Sequence, residues 1–292
     1  MIDVRSRLKY YIGEGTAKIH EPVNTATSGY DVPIKLNFEM YRANFSRIHP
    51  NTQYPIDVIR YLDYAKGKNI YIQCGDGSYC ENNWPVMVKT RDTSSPRSQG
   101  VIINLDRNRH FGDLNSHPDT PWDYKFKECV WRGVDTGFNG DRLEFVNKYR
   151  NSHNVGFSRF VQDSLESPQL YSEEMKKPPL KISEMKRYKY LPVVDGNDKS
   201  SSLGWVMASN SVPIMPKPRF HSWMCEPWLE SGVHYVQVKA DWSDFDEKLE
   251  WCQQNDSECK KIGENGIEFM RQFMDENKEK YLESKLAQFC AT

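Results

Sequence analysis

Apolar positions first fall into a regular pattern at Ile56. Val58, Ile59, Leu62 and Ala65 recur at helical spacing, and Lys66-Gly67-Lys68-Asn69 supplies the stop. Ile70 to Cys74 then reads as a strand, with Gly75-Asp76-Gly77 as a tight turn at its carboxyl end. Val86 to Val88 and Val101 to Leu105 are two further short strands, and residues 106–125 are loop-like. Glu128 to Trp131 opens a second run of strands, continued by Tyr190–Val194, Val212–Met215 and His234–Val238. Arg142 to Tyr149 is helical in pattern. The polar stretch 164–184, with Pro168, Pro178 and Pro179, reads as a surface excursion. The last fifty residues are helical: Ser243-x-x-Asp246 has the form of a capping box, and Ile267, Met270, Phe273 and Met274 begin an apolar face extended by Leu282, Leu286 and Phe289. Alternating helix and strand predicts an α/β fold, whose ligands sit outside the carboxyl ends of the strands. A chain of 292 residues is near the size at which one core divides, so two domains are expected, with the boundary in 106–125.

Composition narrows the partners. Lys plus Arg is 39 against 40 for Asp plus Glu, so no bulk field draws nucleic acid or an anionic membrane. There is no apolar run of about 18 residues, hence no expected membrane span. Met1-Ile2-Asp3-Val4-Arg5 lacks an apolar signal core, and the seven cysteines form no Cys-x-x-Cys pair, so a reduced, cytoplasmic protein is expected. The chain is rich in aromatics, with 8 Trp and 16 Tyr, which suits stacking on sugars or bases, although for any single ring a core or rim role is the default. Asp244-Phe245-Asp246 is the sole Asp-x-Asp, but it sits in a first helical turn, where acids complement the dipole. His110-x-x-Asp113-x-x-x-His117 has no recognised ligand spacing. Neither metal nor cofactor is therefore expected.

Two segments carry candidate chemistry. Trp131-Arg132-Gly133 ends a buried strand, and a planar guanidinium there can hold two oxygens of an anion, with Thr136 and Arg142 close by. Asp195-Gly196 followed by Ser200-Ser201-Ser202 sets a close-approach glycine and three hydroxyls ahead of a helix that would turn Trp205, Val206 and Ala208 inward. Read singly, Arg132 is equally a surface ion-pair residue, the serine loop an ordinary turn, and Asp76 a turn residue.

Taken together, with Lys186-Arg187-Tyr188-Lys189-Tyr190-Leu191 and His234-Tyr235, the order and spacing resemble glycosyltransferase family 90, which includes Rumi-type protein O-glucosyltransferases and capsule xylosyltransferases. The resemblance runs over roughly residues 56–275 and extends to compact xylosyltransferases of the chlorella-virus type. It implies a GT-B architecture of two Rossmann-like domains facing a cleft: residues 1–125 on the acceptor side, 126–270 binding a nucleotide sugar, and 271–292 a helix crossing back. The implied activity is inverting, metal-independent transfer of a sugar, xylose before glucose, from a UDP-sugar to a hydroxyl of a glycan or glycoprotein. Asp76 would be the base. Arg132, Gly133, Thr136, Gly196, Lys199, Ser200, Ser201 and Ser202 would hold the donor. The chain departs from the pattern twice. Ser202 stands where relatives carry a phosphate-binding Arg, for which Lys199 is the replacement. Gln73-Cys74-Gly75-Asp76 stands where the family runs Asn-x-Arg-Asp, leaving Asp92 and Asp106 as the other base candidates. The missing Arg favours an alternative, a non-catalytic glycan- or nucleotide-binding protein.

Overall fold

The structure, a computed structural model, describes residues 1–13, 34–36, 54–73, 86–95, 100–104, 119–137 and 140–291. Its strands in chain order are β1 (Ile34–Leu36), β2 (Ile70–Ile72), β3 (Val86–Val88), β4 (Arg91–Asp92), β5 (Val101–Ile102), β6 (Phe126–Val134), β7 (Asn154–Arg159), β8 (Tyr188–Pro192), β9 (Val212–Pro216), β10 (Phe220–His221) and β11 (Val236–Val238). The longer helices are α1 (Val4–Ile12), α2 (Tyr54–Tyr64), α3 (Asp141–Tyr149), α4 (Ser202–Met207), α5 (Phe245–Gln254), α6 (Asp256–Arg271) and α7 (Glu276–Cys290). They form two compact units. The first comprises 1–109, 219–226 and 272–292, and the second 110–218 and 227–271.

In the first unit a four-stranded sheet runs β1-β2-β3-β5, with β1 antiparallel to β2 and the other pairs parallel. β2, β3 and β5 are buried throughout, as expected of short parallel strands covered on both faces. α2 turns Tyr61, Leu62 and Ala65 inward, while Ile59, expected on that face, is 39% exposed. The helix ends at Tyr64, and the turn that follows holds Lys66 and Gly67 at positive φ. Asp3 caps α1, its carboxylate accepting from the backbone N–H of Arg5 and Ser6 at 3.0 Å each. α7 packs on α1, α2 and β2. Among the described residues no helix is long and apolar enough to cross a membrane.

The second unit is built on a five-stranded sheet of order β11-β9-β8-β6-β7, parallel at every pairing. Interior β6 buries Cys129, Val130 and Trp131 in succession, the unbroken apolar run of a strand covered on two sides. Trp131 meets Phe145 and Phe157 edge-on at 5.8 and 5.9 Å, and Phe145 packs on Trp242 at 4.5 Å, so α3 is fixed to the sheet through aromatic contacts. α3 carries Asp141 and Glu144 in its first turn and Lys148 in its last, matching its dipole. Pro192 is tolerated because it closes β8; the next residue resumes the ladder, Val193 N donating to Ile214 O at 2.9 Å. Two local expectations are corrected. The cap of α5 is Asp244 without a side-chain cap bond, and Asp246 goes to His153 Nε2 at 2.6 Å instead of back to Ser243. α4 buries Leu203, Val206 and Met207, leaving Trp205 and Ala208 half-buried, because a six-residue helix presents a single narrow face.

Candidate functional site

The strand order locates the crevice. From β6 the chain moves to one side to form β7, then returns to the other side of β6 to form β8. The connections from β6 and β8 therefore diverge, and in an open parallel sheet a ligand binds outside the carboxyl ends at that divergence. Here those ends continue as Asp135-Thr136-Gly137 after β6, and as the loop from Asp195 to Ser201 after β8.

Arg142, in the first turn of α3, joins the two. Its Nη1 donates to Val134 O (3.0 Å) and Thr136 Oγ1 (2.7 Å), while Nε donates to Asp195 O (3.1 Å) and Nη2 to Val194 O (3.3 Å). A guanidinium can bridge two strand ends in this way because its donors lie in a rigid fork. Gly196 lets the loop backbone approach closely: a Cβ there would lie 2.9 Å from Arg142 Nη2 and 3.0 Å from Thr136 Oγ1, so both side chains would have to shift. The loop is closed on itself by Ser200 N donating to Asp195 Oδ1 (2.8 Å) and Gly196 N to Asp198 O (2.9 Å). The hydroxyls of Ser200 and Ser202 meet at 2.8 Å, and Ser201 is exposed. Lys199 is half-buried in the same loop. Thus Thr136, Gly196, Lys199, Ser200, Ser201 and Ser202 are brought together at the crevice.

Arg132 does not join them. β6 continues two residues beyond it, and its guanidinium is spent on protein acceptors: Nη1 on Trp131 O (2.8 Å) and Asn154 O (2.9 Å), Nη2 on Asn154 Oδ1 (2.7 Å), Nε on Pro178 O (2.8 Å). Asn154 is the first residue of β7, so this charge lies at the amino end of that strand, away from the crevice. Burial lowers its pKa. Gly133 likewise answers to packing, since a Cβ there would fall 2.4 Å from Trp131 Cζ2. Gly133→Ala is expected to cost about 1–3 kcal/mol in urea melts, as overpacked cores do. Asp76, Asp106 and the His110–His117 group lie outside the described residues. Asp92 closes a turn, accepting from Ser94 N (2.9 Å) and Ser94 Oγ (2.6 Å). Asp244 accepts from Lys239 N at 2.8 Å while Asp246 pairs with His153, so the Asp-x-Asp acids face different partners. Among the described residues no three His, Cys, Asp or Glu side chains are grouped to hold a metal. Trp223 is 2% exposed and stacks edge-on with Phe273, a core residue.

Three residues at the crevice went unnoticed or undervalued in the sequence: Asp135, Arg142 and Gln162. Asp135 is 1% exposed, and its carboxylate accepts the backbone N–H groups of Val161, Gln162 and Ser164, tying the turn after β7 to the end of β6. Burial alone would raise its pKa, but these bonds hold it below the ordinary value of 3.8. The stabilisation is therefore complete above that value and lost as pH falls through the depressed one. Melting curves should show the wild type losing more stability than Asp135→Asn between about pH 5 and pH 2. The signal available in the sequence was an acid directly following a buried strand.

A family model for glycosyl transferase family 90 matches residues 79–290. The chain belongs to this family. It is similar to an O-glucosyltransferase LpsA from Dichelobacter nodosus, with 30% identity over 65% of this chain and 56% of the relative. It is also similar to protein O-glucosyltransferase 2 of Danio rerio, with 27% identity over 66% of this chain and 38% of the relative. The chain thus spans little more than half the length of the first of these and less of the second. A structural likeness to the crystal structure of TarM covers 70% of this chain and 49% of that one at TM-score 0.41 and 11% identity, too slight to bear on the fold.

Proposed function

We propose that the chain is a glycosyltransferase taking its sugar from a UDP-sugar and passing it to a hydroxyl of a glycan or glycoprotein. The observation that carries this reading is the Arg142 guanidinium stitched between both strand ends at the divergence of a parallel sheet, with Gly196 pressed against it, in a chain of family 90. Departure of UDP leaves two phosphates of growing negative charge. The fixed charge of Arg142 and the hydroxyls of Thr136, Ser201 and Ser202 offset that charge without a metal ion. In this reading Arg142, whose donors are engaged by Val134, Thr136, Val194 and Asp195, braces the loop and lends its fixed charge to the site in place of the direct clamp expected of Arg132. Asp76, four residues beyond β2, removes the acceptor proton, and the oxygen attacks the anomeric carbon opposite UDP, inverting it. The groups assigned to UDP belong to the second unit and Asp76 to the first. For the donor, relatives named O-glucosyltransferases favour glucose over the xylose expected first. The serine at 202 favours a second reading, a binder without turnover.

The test is UDP release with UDP-glucose, UDP-xylose and UDP-galactose, with and without EDTA, beside calorimetry with UDP. UDP binding with turnover that survives EDTA is expected; UDP binding without turnover on any donor would leave the binder. Arg142→Lys should weaken UDP binding about tenfold, because an ammonium cannot fork across both strand ends. An unchanged Kd would remove Arg142 from the donor site.

A further inference from the structure

The loop that would hold the donor is tied not only to β6 through Arg142 but also, by a separate device, to the end of β7. Gln162 and Asn197 face one another as a reciprocal amide pair: Gln162 Nε2 donates to Asn197 Oδ1 at 3.2 Å, and Asn197 Nδ2 donates to Gln162 Oε1 at 3.0 Å. Both side chains are half-buried. Gln162 is itself held in place. Its backbone N–H, with those of Val161 and Ser164, is gathered by the buried carboxylate of Asp135, and Asp163 N donates to Asp135 O at 3.3 Å. A path of hydrogen bonds therefore runs from the end of β6, through the turn after β7, to the middle of the loop after β8. Apart from Asn197, which lies within the donor loop itself, no residue on this path belongs to the set assigned to the donor or the base above. The pair stands next to Gly196, the position at which the loop backbone approaches Thr136 and Arg142.

We propose that Gln162 is a positioning residue whose amide pair with Asn197 holds the 195–201 loop in its binding conformation before the donor arrives. This rests on the donor-site reading above. A loop of seven residues with a glycine near its start samples many conformations unless it is tied at more than its two ends, and each conformation removed in advance is one the ligand need not freeze on binding. Two neutral hydrogen bonds in a half-buried site are enough to shift that balance measurably.

The experiment compares the whole chain with Gln162→Ala and with the exchanged pair Gln162→Asn/Asn197→Gln, which keeps two amides and the same total side-chain length. Calorimetry with UDP should give a Kd about five- to tenfold weaker for Gln162→Ala, the loss of roughly one hydrogen bond's net worth, with the exchanged pair recovering most of it. The donor KM should rise in parallel, kcat should stay within about twofold, and the melting temperature should change little, since Asp135 still holds the turn. Hydrogen exchange of the 195–201 amides, measured without nucleotide, should be faster in Gln162→Ala. Unchanged exchange, or equal UDP affinity in wild type and Gln162→Ala, would overturn the proposal. If the wild type takes no UDP at all, the donor-site reading falls, while the exchange rates still judge whether the pair orders the loop.

Discussion

Asp76→Asn is expected to lower kcat about 10³-fold while leaving UDP affinity within about twofold of wild type. The amide is close in size and polarity to the carboxylate but cannot accept the acceptor's proton, so the loss falls on the chemical step. UDP affinity is spared because the groups assigned to the diphosphate belong to the second unit, whereas Asp76 follows β2 in the first. The same substitution at Asp92 should leave turnover within about threefold, because its carboxylate serves a turn, accepting twice from Ser94, and Asn keeps one acceptor oxygen for that purpose. UDP-release rates for the two variants and for Asp106→Asn decide the assignment. A full-strength Asp76→Asn enzyme, or a thousandfold loss at another of the three, would move the base elsewhere.

The second large effect concerns stability. Glu279→Ala is expected to destabilise the first unit by about 3–5 kcal/mol, the usual result of removing one partner of a buried ion pair. Arg7 and Glu279 are 1% and 2% exposed, and they meet in a forked pair, Nη1 to Oε1 at 2.7 Å and Nη2 to Oε2 at 3.1 Å. Two neighbours add bonds to the pair: Arg7 Nη2 donates to Tyr11 Oη at 2.8 Å, and Asn104 Nδ2 donates to Glu279 Oε2 at 2.7 Å. The guanidinium also lies over the Phe273 ring at 4.6 Å. With the carboxylate gone, Arg7 keeps a charge that neither water nor a counter-ion reaches, and the asparagine amide loses its acceptor. Urea melts measure the loss. Arg7→Met/Glu279→Leu should recover most of it, because the penalty lies in the stranded charge more than in the missing attraction. A single variant that melts with the wild type would show that water reaches the pair.

Several features of the architecture were legible along the chain because they depend on neighbours in sequence. The apolar run Cys129-Val130-Trp131 marks an interior parallel strand, and the spacing of Tyr61, Leu62 and Ala65 marks one helix face. Asp-Gly with the serines marks a loop after a strand, and the family pattern rests on such local signals. Strand partners are another matter. That β6 has β7 on one side and β8 on the other is a statement about residues twenty to sixty positions apart, and it alone fixes where the crevice opens. Arg132 shows the consequence. Its position beside a glycine near a strand end marks it as an anion clamp, yet in the folded chain its donors go to Trp131 O and to Asn154 and Pro178, the last two brought in by β7 and the segment after it. Arg142, which reads as the plain surface of a helix start, reaches carbonyls fifty residues away because α3 begins over the gap between two strands. Period and turn chemistry are written in short windows and survive in any fold that uses them. The partner of a long, many-donor side chain is set by whatever the packed chain places within 3 Å, and no local window contains it.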